Sequence, residues 1–548
     1  MVEAGIKLRR PAIGALTLAL IAGAAFWSLH VAHFLWAPPG QTPTGFIEYD
    51  QLYYLAEAQE MVAEGRWLFY RNPFDDHQAA RAIYIQLEKS LWGLALRAGI
   101  TPEHAYLLFL FVGGLATALI FRALVHQVLS GGQPFFRTIF LLGMWGGGLL
   151  VPAGLATTLW HGERVTWPAV IRFDPMEGWW FLNLGRNLVF ATEAYYHALA
   201  LGALLLALRR RWVPALLCVA TLVASTPFTG VQFALTFTLW SFLERILGGP
   251  SRPPTWFVLG SIALLALHLG YYIVLLPLDP RHAAIYGGLK LDWRLPATTI
   301  PLAYGLVALL ACLQLLPRFR DARLDGSTTR LLLCLLAVSF GLANHELFMP
   351  PHQPIHFTRG YIWLPLFLLG APALNRLLEN GFHQENRRLR LATVAATAVC
   401  GLLLVDNAAW IGNGLHLARR GALGIYIPAP ARTLFADLRQ AGIRGLALLP
   451  EPIDYPAALY TRLTPYTGHW LLTPDWLRRA RERNRFYSYG DTAVLTNPAI
   501  SIVVVPPAYR VVQALRAPQW TTLVATADYL VLTRRKDATG SEDPPAEH

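Results

Sequence analysis

The chain has little charge, little cysteine and none of the motifs that mark nucleotide-handling or zinc enzymes. Only 15% of its 548 residues are charged, against about 25% in an average soluble domain. That deficit excludes an ordinary water-soluble enzyme. The four cysteines, Cys218, Cys312, Cys334 and Cys400, all fall inside apolar runs. They read as small buried side chains, which leaves neither a disulfide framework nor a thiolate zinc site. No G-x-G-x-x-G and no P-loop occurs, so nothing announces a nucleotide-sugar fold. His345 and Glu346 open a zincin-like H-E-x-x-H, but position 349 is Met, and the second zinc-binding histidine is missing. No internal repeat is visible.

What the chain has instead is apolar sequence, with 54% hydrophobic residues. Runs of about 20 residues recur through its first three quarters, each long enough to cross the hydrocarbon of a bilayer. The expected spans are 11–36, 105–125, 138–159, 188–208, two within 214–246, 256–276, 297–316, 331–348, 361–378 and 391–411. The pair in 214–246 is hinged where Pro227 and Gly230 interrupt the helix. The formal net charge of +12 would suggest a nucleic-acid partner in a soluble protein. Here much of the arginine excess sits in short connections, the distribution of a cytoplasmic face. Lys7, Arg9 and Arg10 precede span one, Arg209–Arg211 follow span four, and further basic clusters occur at 318–323 and 387–390. The expectation is a polytopic α-helical protein of about eleven spans, with its N-terminus cytoplasmic. A long first external loop covers 37–104, and a second external segment begins at 412.

That C-terminal segment, 412–535, is polar and alternates short β-like pieces (446–449, 493–496, 500–505, 529–533) with helical ones (431–441, 475–484). Such alternation suggests a small α/β domain. The last stretch, 536–548, reads as a disordered tail.

Three groups of residues carry candidate chemistry. In the first external loop, G45-F-I-E-Y-D-Q-L-Y-Y54 holds Glu48 and Asp50 two positions apart. In an extended segment that spacing puts both carboxylates on one side. One could then deprotonate an acceptor hydroxyl while the other orients it or holds a divalent cation. Tyr49, Tyr53 and Tyr54 surround them. Two amphipathic helical patterns follow, one with Glu57, Glu60 and Glu64 outside and one over 80–98 with Arg81, Glu88 and Lys89 outside. A second group, His345, Glu346, His352, His356 and Arg359, shares one turn-rich external segment before span ten. Arg359 suits a phosphate, which a guanidinium grips through its fork, or a lipid headgroup reached by snorkelling. The third group is Arg172, Asp174 and Arg186 ahead of span four, with Glu193 and His197 one turn apart just inside it. Ionisable groups at such positions face a cavity or pair with one another. His268 and Asp406 are isolated and read as structural partners.

Together, the first span, the loop bearing GFIEYDQLYY, the amphipathic helices behind it, the eleven spans and the external C-terminal domain resemble the GT-C-type membrane glycosyltransferases. That superfamily includes protein O-mannosyltransferases, oligosaccharyltransferase catalytic subunits and bacterial sugar transferases of lipid A and cell-wall glycans. The resemblance implies an acidic first-loop motif acting as catalytic base or metal ligand, and a sugar donor carried on polyprenyl phosphate. Asp50 would then be the base and Glu48 its partner or a ligand of magnesium or manganese. Arg359, with His356 and Arg186, would contact the donor phosphate. Tyr49, Tyr53, Glu193, His197, His345, Glu346 and His352 would border the substrate cavity. The acceptor would be a hydroxyl of a glycan, lipid or protein at the outer face of the cytoplasmic membrane, and no nucleic acid takes part. The run Y466-T-G-H-W-L-L-T-P-D475 also resembles the C-terminal domain of uncharacterised bacterial members, where G-H-W-x-x-T-P-D recurs without an assigned role. The W-W-D-Y-G run of oligosaccharyltransferases is missing, which argues against transfer to asparagine. The rival classes are a transporter or lipid flippase, which would place ionisable groups at mid-membrane, and a non-catalytic anchoring protein, which would have no use for Asp50.

Overall fold

The computed structural model describes residues 10–77, 80–129, 133–178, 180–248, 252–287, 291–314, 316, 326–382, 389–509, 515 and 519–535. Lys7, Arg9, the 318–323 connection, Arg387, Arg388 and the 536–548 tail lie outside the described residues.

Every expected apolar run becomes helical. α1 (Arg10–Leu35) leads into the first loop, which contains β1 (Gln41–Pro43), α2 (Gln51–Ala63), β2 (Phe69–Tyr70), β3 (Tyr84–Ile85) and α3 (Leu87–Arg97). α4 (Pro102–Val128) follows. The third run divides into α5 (Phe136–Trp145) and α6 (Leu150–Trp160), bent by 60° where Gly146, Gly147 and Gly148 interrupt it. The new N-terminus inside the bundle is capped by Asp406, whose carboxylate accepts from Val151 N at 2.9 Å and Leu150 N at 3.1 Å. A buried acid at the first turn of a helix satisfies donors that have no intrahelical partner.

After the single turn α7 (Trp167–Val170) come α8 (Ala191–Leu208), α9 (Trp212–Val223), α10 (Pro227–Ile246) and α11 (Thr255–Leu269). The α9–α10 hinge lies at Thr226-Pro227, as the sequence suggested, and His268 closes it through contacts with Pro227 O and Val223 O at 2.9 and 3.3 Å. α11 runs on through a π segment, Gly270–Leu275, to α12 (Pro280–Tyr286). α13 (Thr299–Leu313), α14 (Gly326–Ala343), α15 (Trp363–Phe382) and α16 (Leu389–Arg419) complete the bundle. Among the described residues six helices are long and apolar enough to cross a membrane, or seven if the bent α5–α6 pair is one span. The other four expected spans are the short α9 and α13 and the more polar α10 and α15. α15 is buried on every side from Trp363 to Asn375, as a helix at the centre of a bundle must be. α4 and α8 approach closely enough that a methyl group at Gly113 would lie 3.0 Å from Tyr195 N.

α2 and α3 depart from the sequence reading. Glu57, expected outside, is buried, and so are Glu88 and Lys89, whereas Leu91 and Leu94 are exposed. Lys89 Nζ lies 3.0 Å from Glu57 and 3.9 Å above the Tyr54 ring, pinning α3 to α2. Glu60 is held by Arg66 and Arg71 at 2.6 and 3.0 Å. On α3 the exposed leucines turn outward and the charged pair turns toward the protein, as a helix against lipid would, whereas α2 buries Leu52, Leu55 and Ala56 as expected.

The C-terminal domain begins with β4 (Tyr426–Pro428), which pairs antiparallel with β1 and so stitches this domain to the first loop. α17 (Ala429–Gln440), β5 (Arg444–Leu448), α18 (Asp454–Tyr460), β6 (Arg462–Pro465), α19 (Trp476–Tyr489), β7 (Ile500–Val505), β8 (Trp520–Ala525) and β9 (Leu530–Arg534) follow. The sheet order is β6-β5-β7-β9-β8, with β6, β5 and β7 parallel and β9 antiparallel to both β7 and β8. The 493–496 piece expected as a strand is instead part of a 3-10 turn, Thr492–Thr496, and β6 and β8 were not expected.

Candidate functional site

The loop before α2 is fixed by buried polar groups. His30 on α1 contacts Gly45 O at 2.9 Å and Val189 O at 3.1 Å, while His33 accepts from Thr44 N at 3.2 Å. Gly45 takes a φ of +77°, which a side chain disfavours. Gln51 accepts from Ile47 N at 2.8 Å and donates to Val189 O at 3.0 Å. From the C-terminal domain, the Tyr455 hydroxyl accepts from Tyr53 N at 3.0 Å and donates to Tyr49 O at 2.8 Å. The chain between Gly45 and Tyr53 is therefore held on both sides.

The segment is a turn, not the strand the sequence suggested. Gln51 N reaches back to Glu48 O, and Glu48 Oε2 accepts from Asp50 N at 2.8 Å. Burial first, and then the charge of Asp50, push the Glu48 carboxyl well above its usual range, which favours the protonated acid. Asp50 occupies the N-cap position of α2 without capping it. Its carboxylate turns away and meets His469 Nε2 at 3.0 Å. The Asp50 side chain is 36% exposed and that of His469 1%.

Glu48, Asp50, Tyr53, Glu193, His352, His356, Arg359 and His469 line one cavity of about 490 Å³, together with Trp180, Phe228 and a wall of tyrosines including Tyr54, Tyr70, Tyr272 and Tyr286. Arg359 forms a buried ion pair with Glu193, and its backbone carbonyl meets His197 Nε2 at 2.9 Å. His197 Nδ1 contacts Glu193 O at 2.8 Å, and the ring stacks on Tyr361. Both residues of the i, i+4 pair therefore serve Arg359, one through its carboxylate and one through its ring. The guanidinium lies 5.9 Å from the Trp180 ring and 5.6 Å from that of Phe228. Its Nε is buried with no hydrogen-bond partner among the described residues, and the residue lines the cavity. His356 stacks between Phe228 and Trp293. Burial, and next the charge of Arg359, lower its pKa well below the usual value, which favours the neutral imidazole.

The remaining sequence candidates lie elsewhere. Arg186 does not line the cavity: it bonds Asp174 at 2.7 Å, Asn407 at 3.0 Å and two backbone carbonyls. His345 is tied to Leu342 O and to His352 N, away from the cavity, and Glu346 does not line it. Tyr49 stacks on Tyr455 with ring centres 4.5 Å apart, behind the acid pair.

Magnesium is commonly bound through one or two carboxylates, with water and substrate phosphate completing its shell. Glu48 and Asp50 each engage one oxygen with protein, and among the described residues no three His, Cys, Asp or Glu side chains cluster as ligands.

His469 is the residue that sequence reasoning missed. The only signal for it was the recurring G-H-W run, which carried no role.

No protein-family model and no curated protein matches the chain. Solved structures do. The apo oligosaccharyltransferase of Archaeoglobus fulgidus aligns with a TM-score of 0.51 and 10% identity, over 90% of this chain and 69% of that one. Apo ArnT from Cupriavidus metallidurans aligns at 0.46 and 13% identity, over 95% and 98% of the two chains. The mycobacterial arabinofuranosyltransferase AftD aligns at 0.47 and 17%, over 94% of this chain and 40% of its own length. At such identities the likeness shows the fold alone, one shared with the oligosaccharyltransferase.

Proposed function

We propose that the chain is an inverting glycosyltransferase. It would move a sugar from a polyprenyl-phosphate carrier to an acceptor hydroxyl at the outer face of the cytoplasmic membrane. The observation that carries this reading is the single cavity bordered by both the Glu48–Asp50 pair and Arg359. A fold shared with a structure described as an oligosaccharyltransferase supports the same class.

The chemistry divides between the two sides of the cavity. Asp50 takes the proton of the acceptor hydroxyl as its oxygen bonds the anomeric carbon. The bond from that carbon to the carrier's phosphate oxygen breaks, and its electron pair leaves with the phosphate. Arg359, which lines the cavity, neutralises that developing charge in a low-dielectric wall of Trp180 and Phe228. Glu48, held protonated, adds no second negative charge beside the base. The exposed apolar helices would admit the lipid carrier from the side, and an N-terminus held in the cytoplasm by its basic residues would leave the cavity and the C-terminal domain outside.

The test is turnover of a set of polyprenyl-phosphate hexoses and pentoses by the purified full chain in lipid nanodiscs. Transfer or donor hydrolysis is expected from the wild type and not from Asp50→Asn. A wild type inert toward every donor, or an Asp50→Asn variant turning over normally, would remove the proposal.

A further inference from the structure

The run Gly468-His469-Trp470-Leu471-Leu472-Thr473 belongs to the C-terminal domain, yet it forms part of the cavity wall. Each distinctive residue has a visible task. A side chain at Gly468 would collide with the Phe74 ring, and Gly468 N donates to Thr473 Oγ1 at 3.2 Å. Thr473 N and Leu472 N both return to His469 O, at 2.9 and 3.1 Å. The result is a tight turn that presents one imidazole toward the first loop.

That imidazole has no freedom left. Leu471 N donates to Nδ1 at 3.3 Å, so Nδ1 keeps its lone pair and the ring proton sits on Nε2. Nε2 then donates to Asp50 Oδ1 at 3.0 Å. Tyr53, Tyr49 and Tyr455 surround the ring at 4.6, 5.2 and 5.6 Å between centres. With both nitrogens engaged, His469 has no site for an acceptor's proton. Asp50 has one, because its carboxylate accepts no other hydrogen bond among the described residues and is partly open to the cavity.

We propose that His469 is the positioning residue for Asp50: its Nε2–H holds one carboxylate oxygen so that the other faces the acceptor, and the C-terminal domain thereby completes the catalytic centre. This rests on the glycosyl-transfer reading above. A carboxylate free to rotate loses the aligned geometry on which proton abstraction depends, while donor binding at Arg359 is untouched.

Two substitutions separate the N–H from the ring. His469→Phe keeps an aromatic ring among the tyrosines and removes the donor; His469→Gln keeps a donor near the Nε2 position and removes the ring. With polyprenyl-phosphate sugars as probes, His469→Phe should lower kcat by about 10- to 100-fold, the effect of losing a hydrogen bond to a charged group. Its donor KM should stay within about twofold of wild type, the expected signature of an orienting role. His469→Gln should retain about a third of wild-type kcat or more. Thermal unfolding of each variant reports whether the domain still docks, and kcat is taken per folded molecule. The reverse order, with Phe active and Gln inactive, or equal kcat in the two variants, overturns the inference. Asp50→Asn is measured alongside: if it is inactive while His469→Phe is unimpaired, only the positioning role fails, whereas an active Asp50→Asn removes the underlying reading.

Discussion

Arg186 and Arg359 are both buried beside a carboxylate, and they differ in what they face. Arg186 and Asp174 face each other at 2.7 Å, and the guanidinium also binds Asn407 and two backbone carbonyls. The pair lies away from the cavity, and Arg186 joins Gly178 and Trp180 to Asn407 of α16. Arg359 and Asp50 instead line one cavity, and each has a different partner, Glu193 and His469. The sequence puts Arg359 first as a phosphate contact, with Arg186 as a helper. The comparison teaches that access to the cavity separates the two guanidiniums, more than their place in a loop.

The largest contrast lies between the acids. Asp50→Asn should reduce transfer by at least about a thousandfold, within the range that positioned bases contribute. Asp174→Asn should leave kcat per folded molecule within about threefold of wild type. Comparable losses in the two variants would erase the distinction. Next come the arginines. Arg186→Ala strands a buried carboxylate and should cost about 3 kcal/mol of stability, read as a lowered unfolding midpoint with normal kcat in the folded fraction. Arg359→Lys keeps a charge for Glu193 but loses the fork, and should weaken use of the lipid donor by about 30-fold at little change in stability.

A pH series sharpens the comparison further. Burial lifts Asp174 from 3.8 to about 6 against the opposing pull of Arg186. A raised carboxyl pKa in the folded state adds stability that is complete below about pH 4 and lost as pH rises through about 6. Asp174→Asn, which resembles the protonated acid, should flatten that part of the Tm–pH curve. The smallest effect is expected at Glu48. Since its pKa is raised, Glu48→Gln should keep kcat within about tenfold of wild type at neutral pH. It should also remove any loss of activity at alkaline pH that comes from ionising Glu48 beside Asp50.

Much of the bundle was legible because an apolar run of about 20 residues suits a bilayer crossing and little else, and the proline at 227 marked a real break; the break at the glycines 146–148, inside a run read as one span, was not anticipated. Glu48, Asp50 and Arg359 could be picked out as polar groups at the external ends of spans, and they do border one cavity. The sidedness of α3 was not legible, because periodicity gives a face without saying whether protein or lipid lies against it. The environment that separates Arg186 from Arg359 comes from Asn407 and Asp174 in one case and Glu193 in the other, none of which a linear reading can rank. His469 lies 419 residues from Asp50 in the chain, and only the docking of the C-terminal domain brings them together. β6 and β8 were missed because short strands with few apolar residues leave a weak alternating pattern.

The pairing of β1 with β4 has a consequence for biogenesis. The loop carrying the acid emerges early in synthesis, but its strand partner follows α16 and its imidazole partner comes later still. A nascent chain arrested after α16 would already be threaded through the bilayer and would still lack the surface that holds its acid in place. The order of translation thus delays the assembly of the site until the last domain has been made and has closed over the loop.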